Sequence, residues 1–540
     1  MTTLAAASPS GTEQARSGWR DRAAGLARST RRRWPHLLGL GLIMVAYGGL
    51  YFVYLMTRDS TLNSGLLDVG IYDQAISSLA HFHGPDSPVV ALPTLDSLGK
   101  SQFSDHFTPL LAVFVPLYWI HDGPSSLYFG TAVLAVLPVI PMWMFTRRAA
   151  NTWTAYFVVL AYGASWPMQM ALWFAFHEVF LALPIMAWMI ERAQAGRIRQ
   201  AALISLLLLG VKDDMGFVVA AFGVYLAAKD LSPLRWHEFW RELRRPRRYL
   251  LLLMVPVGVV MVELVGSVII PHFGGSPGRD FTYTDFGPTT GSAVKAMVEH
   301  PWRVVTDLFS PAVKWQTIQW LLWPLLLLPL LSPLSILAVP LVVERFLSDN
   351  QLYWGMPYHY NAFLLPILFL AAVDGGVRLS RWIGMGLDGR QVGRFGFLGT
   401  MRAPTVRTWV QVVFGLYILV FSWSTVERYP MWHMTQASFW QSDTADINSA
   451  KTAAAHVPAG VTVAAATQIG PHLLSKDKVI MWSVPGDRGY PATPWVLADV
   501  KRPSYPWATV GDQQAAVAVL VTQGYKVVFE DDGWVVLHKE

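Results

Sequence analysis

The stretch Leu66-Leu67-Asp68-Val69-Gly70-Ile71-Tyr72-Asp73-Gln74-Ala75 holds two carboxylates and follows shortly after the first apolar segment of membrane-spanning length. If that segment crosses the bilayer, both acids lie just outside it. Asp68 and Asp73 are five residues apart, a rotation of roughly 500° on a helix, so one helical face does not hold both. We expect Asp68 to precede a helix near its start and Asp73 to lie one turn further in. We therefore interpret this stretch as part of the catalytic site of a membrane enzyme, at the membrane surface.

The composition is that of a polytopic α-helical membrane protein. Of 540 residues, 53% are hydrophobic and 14% are charged, whereas soluble domains usually carry about 25% charged residues. The chain has no cysteine, which excludes disulfides, thiolate metal sites and cysteine nucleophiles. The net charge of +6 is explained by arginines in cytoplasmic loops, so we expect no nucleic-acid partner.

Three regions are predicted along the chain. Residues 1–34 are expected to be a disordered cytoplasmic N-terminus, residues 35–426 a transmembrane domain with an external loop over 58–126, and residues 427–540 a soluble extracytoplasmic α/β domain. The first apolar run, 37–55, is not followed by an A-x-A-like cleavage site. We therefore interpret it as a retained first span rather than a signal peptide.

Charge sets the predicted topology. Placing every arginine cluster on the cytoplasmic side gives about eleven spans, with the N-terminus inside and the C-terminus outside a plasma membrane. Residues 107–120 are too short to cross and are interpreted as an interfacial helix. The apolar segment 201–227 is interrupted by Lys212-Asp213-Asp214, and three ionisable residues at bilayer depth are costly. Two half-spans, 201–211 and 215–228, would put these three residues at an outward-facing apex inside a cavity.

The last region has no long apolar run. Strands are predicted over 461–465, 479–484 and 496–500, and a helix over 512–522. Residues 526–538 are predicted to form a hairpin that turns at Asp531-Asp532-Gly533.

The predicted topology brings the remaining ionisable motifs to the outer ends of the spans. A shared site at or below the outer surface accounts for so many charged groups there. Its candidate residues are Asp68, Asp73, His106, His177, Glu178, Lys212, Asp213, Asp214, Arg345, Tyr358 and His359.

These motifs resemble two related families. A first span followed by Asp68, Tyr72 and Ala75, and then by Thr108-Pro109-Leu110, is similar to the GT-C superfamily of polyprenyl-phosphate-sugar-dependent glycosyltransferases. The whole pattern resembles an uncharacterised bacterial family of polytopic proteins, through Asp68-x-Gly70-x-Tyr72-Asp73-Gln74, His106-Phe107-x-Pro109, His177-Glu178 and Lys212-Asp213-Asp214. The Asp-Glu pair of many GT-C members is absent, since Val69 follows Asp68. Whether Asp73 supplies the second carboxylate stays open, and a divalent cation is possible but has no clear ligand set.

The GT-C resemblance implies an inverting transfer of sugar from a polyprenyl-phosphate donor to a glycan or lipid acceptor of the cell envelope. Asp68 would be the general base, and Lys212 or Arg345 would stabilise the leaving lipid phosphate. His177 and Glu178 would bind sugar or phosphate. Asp213 and Asp214 would orient Lys212 or bind sugar hydroxyls, and membrane lipids would surround the spans.

Other interpretations remain open at this stage. Asp68 is also a plausible helix N-cap, and Lys212-Asp213-Asp214 an ordinary interhelical ion-pair turn. Buried charges and broken spans also suit a lipid or glycan transporter or flippase. A non-catalytic membrane assembly or binding protein would account for the C-terminal region.

Overall fold

The computed structural model describes residues 11–90, 100–231, 235–276, 281–388, 403–442, 444–483 and 493–540. The chain divides into two compact units, residues 1–47 and 48–540. Every candidate site residue belongs to the second unit. Of the predicted segments, the end of the 479–484 strand and part of the external loop 58–126 lie outside the described residues.

The described part of the chain is mainly helical and ends in one small sheet. The helices are α1 (Gly11–Ser60), α2 (Leu66–Ala80), α3 (Val115–Tyr118), α4 (Pro124–Val136), α5 (Val139–Ala149), α6 (Thr152–Ala164), α7 (Trp166–Trp173), α8 (Val179–Gln194), α9 (Ile198–Leu206), α10 (Gly216–Ala228), α11 (Trp236–Leu243), α12 (Pro246–Leu252), α13 (Met254–Leu264), α14 (Ile270–His272), α15 (Thr290–Glu299), α16 (Pro301–Phe309), α17 (Ala312–Leu322), α18 (Ala338–Leu347), α19 (Leu365–Asp388), α20 (Ala403–Ser424), α21 (Ala445–Ala455) and α22 (Val510–Thr522). The strands are β1 (Thr462–Ala465), β2 (Lys478–Met481), β3 (Trp495–Asp499), β4 (Lys526–Asp531) and β5 (Trp534–His538).

Five helical segments of the described chain are long and apolar enough to cross a membrane. They are Trp34–Ser60, Pro124–Ala149, Pro246–His272, His359–Ile383 and Pro404–Arg428. Other apolar stretches are broken into shorter pieces, so the expected count of about eleven spans is not confirmed. The apolar stretch 153–173, for example, divides into α6 and α7 at Ser165, whose backbone is extended. Pro167 follows two residues later, and a proline removes a backbone donor that an uninterrupted helix would use.

Helix α1 begins at Gly11, although residues 1–34 are predicted to be disordered. The first ten residues lie outside the described part of the chain. From residue 11 onward the sequence is rich in alanine and arginine, which are good helix formers. The helix thus includes residues 11–34 of this region.

Helix α2 corrects the expected position of Asp68. It starts at Leu66, so Asp68 lies inside its first turn, and the N-cap position is occupied by Gly65. The interpretation of Asp68 as the N-cap is therefore wrong. The predicted interfacial helix is also short, comprising a 3-10 segment, Pro109–Phe114, and the four residues of α3.

The apex predicted around Lys212 is present as a break between α9 and α10. Lys212 has an extended backbone, and a 3-10 turn, Asp213–Met215, leads into α10. Helix α10 packs closely against α13 through two glycines. A Cβ on Gly258 would lie 2.1 Å from the carbonyl oxygen of Gly216, and a Cβ on Gly216 would lie 2.3 Å from that of Gly258. This contact fixes the first turn of α10, next to the apex.

The C-terminal sheet has the order β2-β1-β3-β5-β4. Strands β1, β2 and β3 are parallel, and β5 is antiparallel to both β3 and β4. Asp532 and Gly533 have φ values of 46° and 88°, as a tight hairpin turn requires. Helix α22 begins with a capping box between Thr509 and Asp512. The predicted strands, helix and hairpin are thus confirmed to within a few residues.

The glycine contact between α10 and α13 gives a first prediction. Gly258→Ala should lower the free energy of unfolding by about 1–3 kcal/mol, since its methyl group would overlap a backbone carbonyl that cannot rotate away. Gly266→Ala is the matched control, because a Cβ there meets nothing within 4 Å. Thermal unfolding in detergent would measure both variants. Equal midpoints for the two would contradict the close approach.

Candidate functional site

Helix α2 presents Asp68 and Tyr72 on one side, because residues four apart follow each other along a helical face. Both face the turn that precedes α8. An Asp68 carboxylate oxygen lies 3.8 Å from His177 Nε2. The Tyr72 hydroxyl donates a 2.5 Å hydrogen bond to Glu178 Oε2. Two consecutive residues of the α8 turn are therefore held by one face of α2.

Glu178 connects this turn to the Lys212 apex. Its other carboxylate oxygen lies 3.8 Å from Lys212 Nζ, which is also 3.1 Å from an Asp214 oxygen. Glu178 is 2% exposed, so its charge depends on this cation and on the Tyr72 hydroxyl. The neighbouring Asp213 lies 2.9 Å from His106 Nδ1. The predicted motifs around Asp68, His106, His177 and Lys212 therefore form one continuous cluster.

A histidine pair extends the cluster. The rings of His177 and His359 stack with centroids 3.7 Å apart and an angle of 20° between their planes. Tyr358 precedes His359 with a φ of 73°, and its ring contacts Phe174 at a centroid distance of 5.0 Å. Tyr358 thus lies at the margin of the cluster, while His359 belongs to it.

Arg345 is held almost entirely by uncharged acceptors. Its guanidinium donates to the carbonyl oxygens of Tyr353 and Tyr360 and to the side chain of Asn361. It is 8% exposed. The residue therefore contributes a fixed positive charge whose direct hydrogen-bond partners do not neutralise it.

Arg345 and Lys212 line the same cleft, which has a volume of about 610 Å³ including space open to solvent. One part of its lining is charged and another is aromatic. The lining residues are His106, Lys212, Asp213, Asp214, Thr282, Tyr283, Leu341, Glu344, Arg345, Tyr353, Tyr360 and Phe363. A cleft with both kinds of side chain suits a ligand that has an apolar face and several polar groups.

The surroundings of Asp68 and His106 shift their pKa values. Burial raises the pKa of Asp68, while His177 and Arg58 oppose this increase. Burial works against the charged form of His106, but the carboxylates of Asp213 and Asp105 raise its pKa well above the usual value. Asp68 is thus a carboxylate with strengthened basicity, and His106 favours the imidazolium form.

Asp73 is not brought into the cluster, although the sequence suggests it as a second catalytic acid. Its side chain is fully buried and accepts a 2.7 Å hydrogen bond from the Tyr118 hydroxyl. Burial raises its pKa to about 7, partly offset by Tyr118, and the acids Asp122 and Asp59 add to the increase. Asp73 lies outside the cluster because it is five residues from Asp68, a spacing that turns the two carboxylates to different sides of α2.

Some members of the site are not among the predicted residues. Arg58 lies near enough to Asp68 to influence its pKa, and its guanidinium is 4.0 Å from the ring centroid of Trp173. Its sequence signal was a basic residue in the last turn of the first span. Glu344 adjoins Arg345 in an otherwise apolar segment, whereas the tyrosines of the cleft have no local pattern that distinguishes them from packing residues. Among the described residues, no three His, Cys, Asp or Glu side chains are positioned to hold a metal ion.

Residues 58–536 match the protein family described as "Predicted membrane protein (DUF2079)". No curated protein matches the chain in sequence. Among solved structures, ArnT from Cupriavidus metallidurans bound to undecaprenyl phosphate is similar, with 16% identity, a TM-score of 0.51, and coverage of 92% of this chain and 98% of that one. The Archaeoglobus fulgidus oligosaccharyltransferase in complex with Zn and sulfate matches at 11% identity and a TM-score of 0.38, over 85% of this chain and 68% of that one. The likeness to ArnT shows that this chain shares its fold, in agreement with the architecture that the sequence resemblance implies.

The buried acid Asp73 gives a pH prediction. The folded state keeps its proton up to pH about 7, whereas an unfolded chain releases it near pH 4, so this group lowers stability by about 1.4 kcal/mol per pH unit between those values. Asp73→Asn keeps an acceptor for Tyr118 but does not titrate. The variant's stability relative to wild type should therefore rise from pH 4 to pH 7 and level off above.

Chemical unfolding in detergent at a series of pH values would measure this difference. Tyr118→Phe serves as the companion variant, since it keeps the acid but removes the hydrogen bond that lowers the Asp73 pKa. In this variant, the pH range over which stability falls should extend above pH 7. A difference between wild type and Asp73→Asn that stays constant from pH 4 to pH 8 would contradict the assignment.

Proposed function

The chain belongs to the DUF2079 family of predicted membrane proteins, and we propose that it is a glycosyltransferase that uses a polyprenyl-phosphate-linked sugar. The observation that carries the proposal is the continuous cluster from Asp68 through His177 and Glu178 to Lys212, beside a cleft with charged and aromatic walls. The GT-C fold supports it at the level of architecture. The undecaprenyl phosphate bound to the ArnT neighbour suggests the class of lipid carrier.

In the proposed reaction, an acceptor hydroxyl attacks the anomeric carbon of the donor sugar. Asp68 takes the hydroxyl proton as the new C–O bond forms, and the bond between the anomeric carbon and the phosphate oxygen breaks. Its electron pair leaves with the lipid phosphate, so a single displacement inverts the anomeric centre. A positioned base of this kind contributes roughly 10²–10⁴-fold to the rate. The raised pKa of Asp68 suits that role.

Two cations can stabilise the leaving phosphate. Lys212 is a compact charge next to Glu178 and Asp214, and Arg345 is a charge with uncharged direct partners. Both line the cleft. Stabilising the charge that develops on a leaving group is a large catalytic term in sites that exclude water. Asp213 then holds His106, and the aromatic side chains of the cleft pack against the sugar.

The proposal includes the membrane arrangement expected from the sequence. The N-terminus lies in the cytoplasm, and residues 427–540 and the site face the outside, where a glycan or lipid acceptor of the cell envelope is available. Arginine clusters support this orientation, because basic loops remain cytoplasmic.

The central test is Asp68→Asn, assayed by release of labelled sugar from a panel of polyprenyl-phosphate-linked pentoses and hexoses. Transfer should fall by about 10²–10⁴-fold, since the amide cannot accept the proton. Undecaprenyl phosphate binding and the unfolding midpoint should stay near wild type.

Asp73→Asn is the matched control on the same helix, and it should leave transfer within a few-fold of wild type. Unchanged transfer by Asp68→Asn would remove Asp68 from the mechanism. Movement of the intact lipid-linked sugar across a vesicle membrane, without any product linkage, would instead identify a transporter.

A second test concerns the cation at the apex. Lys212→Met should reduce transfer by about 10²-fold or more, as expected when a group that stabilises developing charge is removed. Lys212→Arg should recover part of the activity because it retains the charge.

Lys314→Met is the matched control, since Lys314 is a buried lysine that donates to a backbone carbonyl outside the cluster. Equal transfer rates for the Lys212→Met and Lys314→Met variants would contradict a role for Lys212 in the reaction.

A further inference from the structure

Helix α2 receives its N-terminal cap from a residue 401 positions away in the chain. The N-cap position is occupied by Gly65, which has no side chain to accept a hydrogen bond. The first N–H groups of a helix nevertheless need acceptors. The Leu66 N–H donates to the Thr467 carbonyl oxygen at 2.8 Å and lies 3.1 Å from Thr467 Oγ1. Thr467 follows β1 by two residues, so the C-terminal sheet supplies the missing acceptors.

Two turns later, Gln74 pairs with the edge of the same sheet. Its amide nitrogen donates to the Val479 carbonyl at 3.0 Å, and its amide oxygen lies 3.3 Å from the Val479 N–H. Strand β2, which contains Val479, is at one edge of the sheet. The side-chain amide thus occupies part of the place that a further strand would take, and it satisfies backbone groups that an open edge leaves unpaired.

Close packing accompanies these hydrogen bonds. Leu66 is fully buried, and a Cβ on Gly470 would lie 2.6 Å from a Leu66 side-chain atom. A third polar contact joins His472 Nε2 to the carbonyl oxygen of Asp59 at 2.9 Å, near the end of α1. The C-terminal region therefore holds both the end of α1 and the beginning of α2.

Most of these contacts lie on a different side of α2 from the site. Thr467 is closer to it, since a Cβ on Gly65 would lie 3.8 Å from Thr467 Oγ1 and 3.3 Å from Asp68 Oδ2. Leu66, Gly70 and Gln74 are spaced four residues apart and form one stripe, while Asp68 and Tyr72 form another about 200° away. We propose that the C-terminal region positions Asp68 for catalysis, with Thr467 and Gln74 as positioning residues. This inference rests on the proposed function, because it concerns the base of that reaction.

The consequence is geometric rather than chemical. Neither Thr467 nor Gln74 contacts the cleft, but both fix the axial position and rotation of the helix that carries the base. A misplacement of a reacting group by about 1 Å can reduce a rate by about 10²-fold. Loosening these contacts should therefore lower kcat while leaving the KM for the donor near wild type.

The test compares Gln74→Leu, Thr467→Val and the double variant with wild type. For the double variant, kcat should fall by about tenfold or more, as expected from misplacement of the base. Amide hydrogen exchange over residues 66–80 should become faster, and undecaprenyl phosphate binding should not change. Thr467→Ser should restore the rate, since it keeps the hydroxyl.

Gln514→Leu is the matched control, because Gln514 is an exposed glutamine that donates to Val500 in the same region without contacting α2. It should change neither kcat nor the exchange of α2. If the double variant does not fold, the two single variants decide the question by the same measurements.

Unchanged exchange over residues 66–80 in the variants would overturn the inference, and so would faster exchange with an unchanged kcat. The exchange measurement needs no substrate. If wild type transfers no sugar, the proposed function fails, and exchange still shows whether Thr467 and Gln74 hold the helix.

Discussion

The ion pairing of Lys212 is the interaction on which the site depends. An ammonium group within an apolar segment of membrane-spanning length needs opposite charges close by, and Lys212 has Asp214 and Glu178. Glu178 in turn accepts from Tyr72. Removing one member of such a buried group leaves the others with uncompensated charge, which costs several kcal/mol. The broken span, the turn before α8 and helix α2 are therefore held together by one electrostatic requirement.

Helix α2 is short but makes separate contacts on three sides. Asp68 faces the cluster, Gln74 faces the C-terminal sheet, and Asp73 faces Tyr118 in the interior. A helical period of 3.6 residues produces this division directly from the sequence spacing. All three contacts belong to one helix. A shift or rotation of α2 at the sheet therefore also moves Asp68 in the cluster.

Much of this arrangement follows from local sequence patterns. Local signals predicted several of these features. Alternating apolar and polar residues indicated the strands, turn residues indicated the hairpin at Asp532-Gly533, and charged residues within an apolar segment indicated the break at Lys212. The cap on Leu66 was not, because its partner, Thr467, is distant in the sequence. For the same reason the sequence suggested that Asp68 precedes the helix. The expected number of spans is not confirmed, because breaks such as that at Ser165 depend on packing as well as on composition.

The two acids of α2 show why proximity in sequence is a poor guide to a shared role. A general base must be ionised and must reach the substrate. Asp68 is partly exposed and lies 3.8 Å from His177, and the positive charge of the nearby Arg58 favours its carboxylate form. Asp73 is enclosed, its electrostatic neighbours Asp122 and Asp59 are acids, and its pKa is raised to about 7. Burial raises both pKa values, but only Asp68 has a cation nearby and is partly exposed, so only Asp68 fits the role proposed for the base.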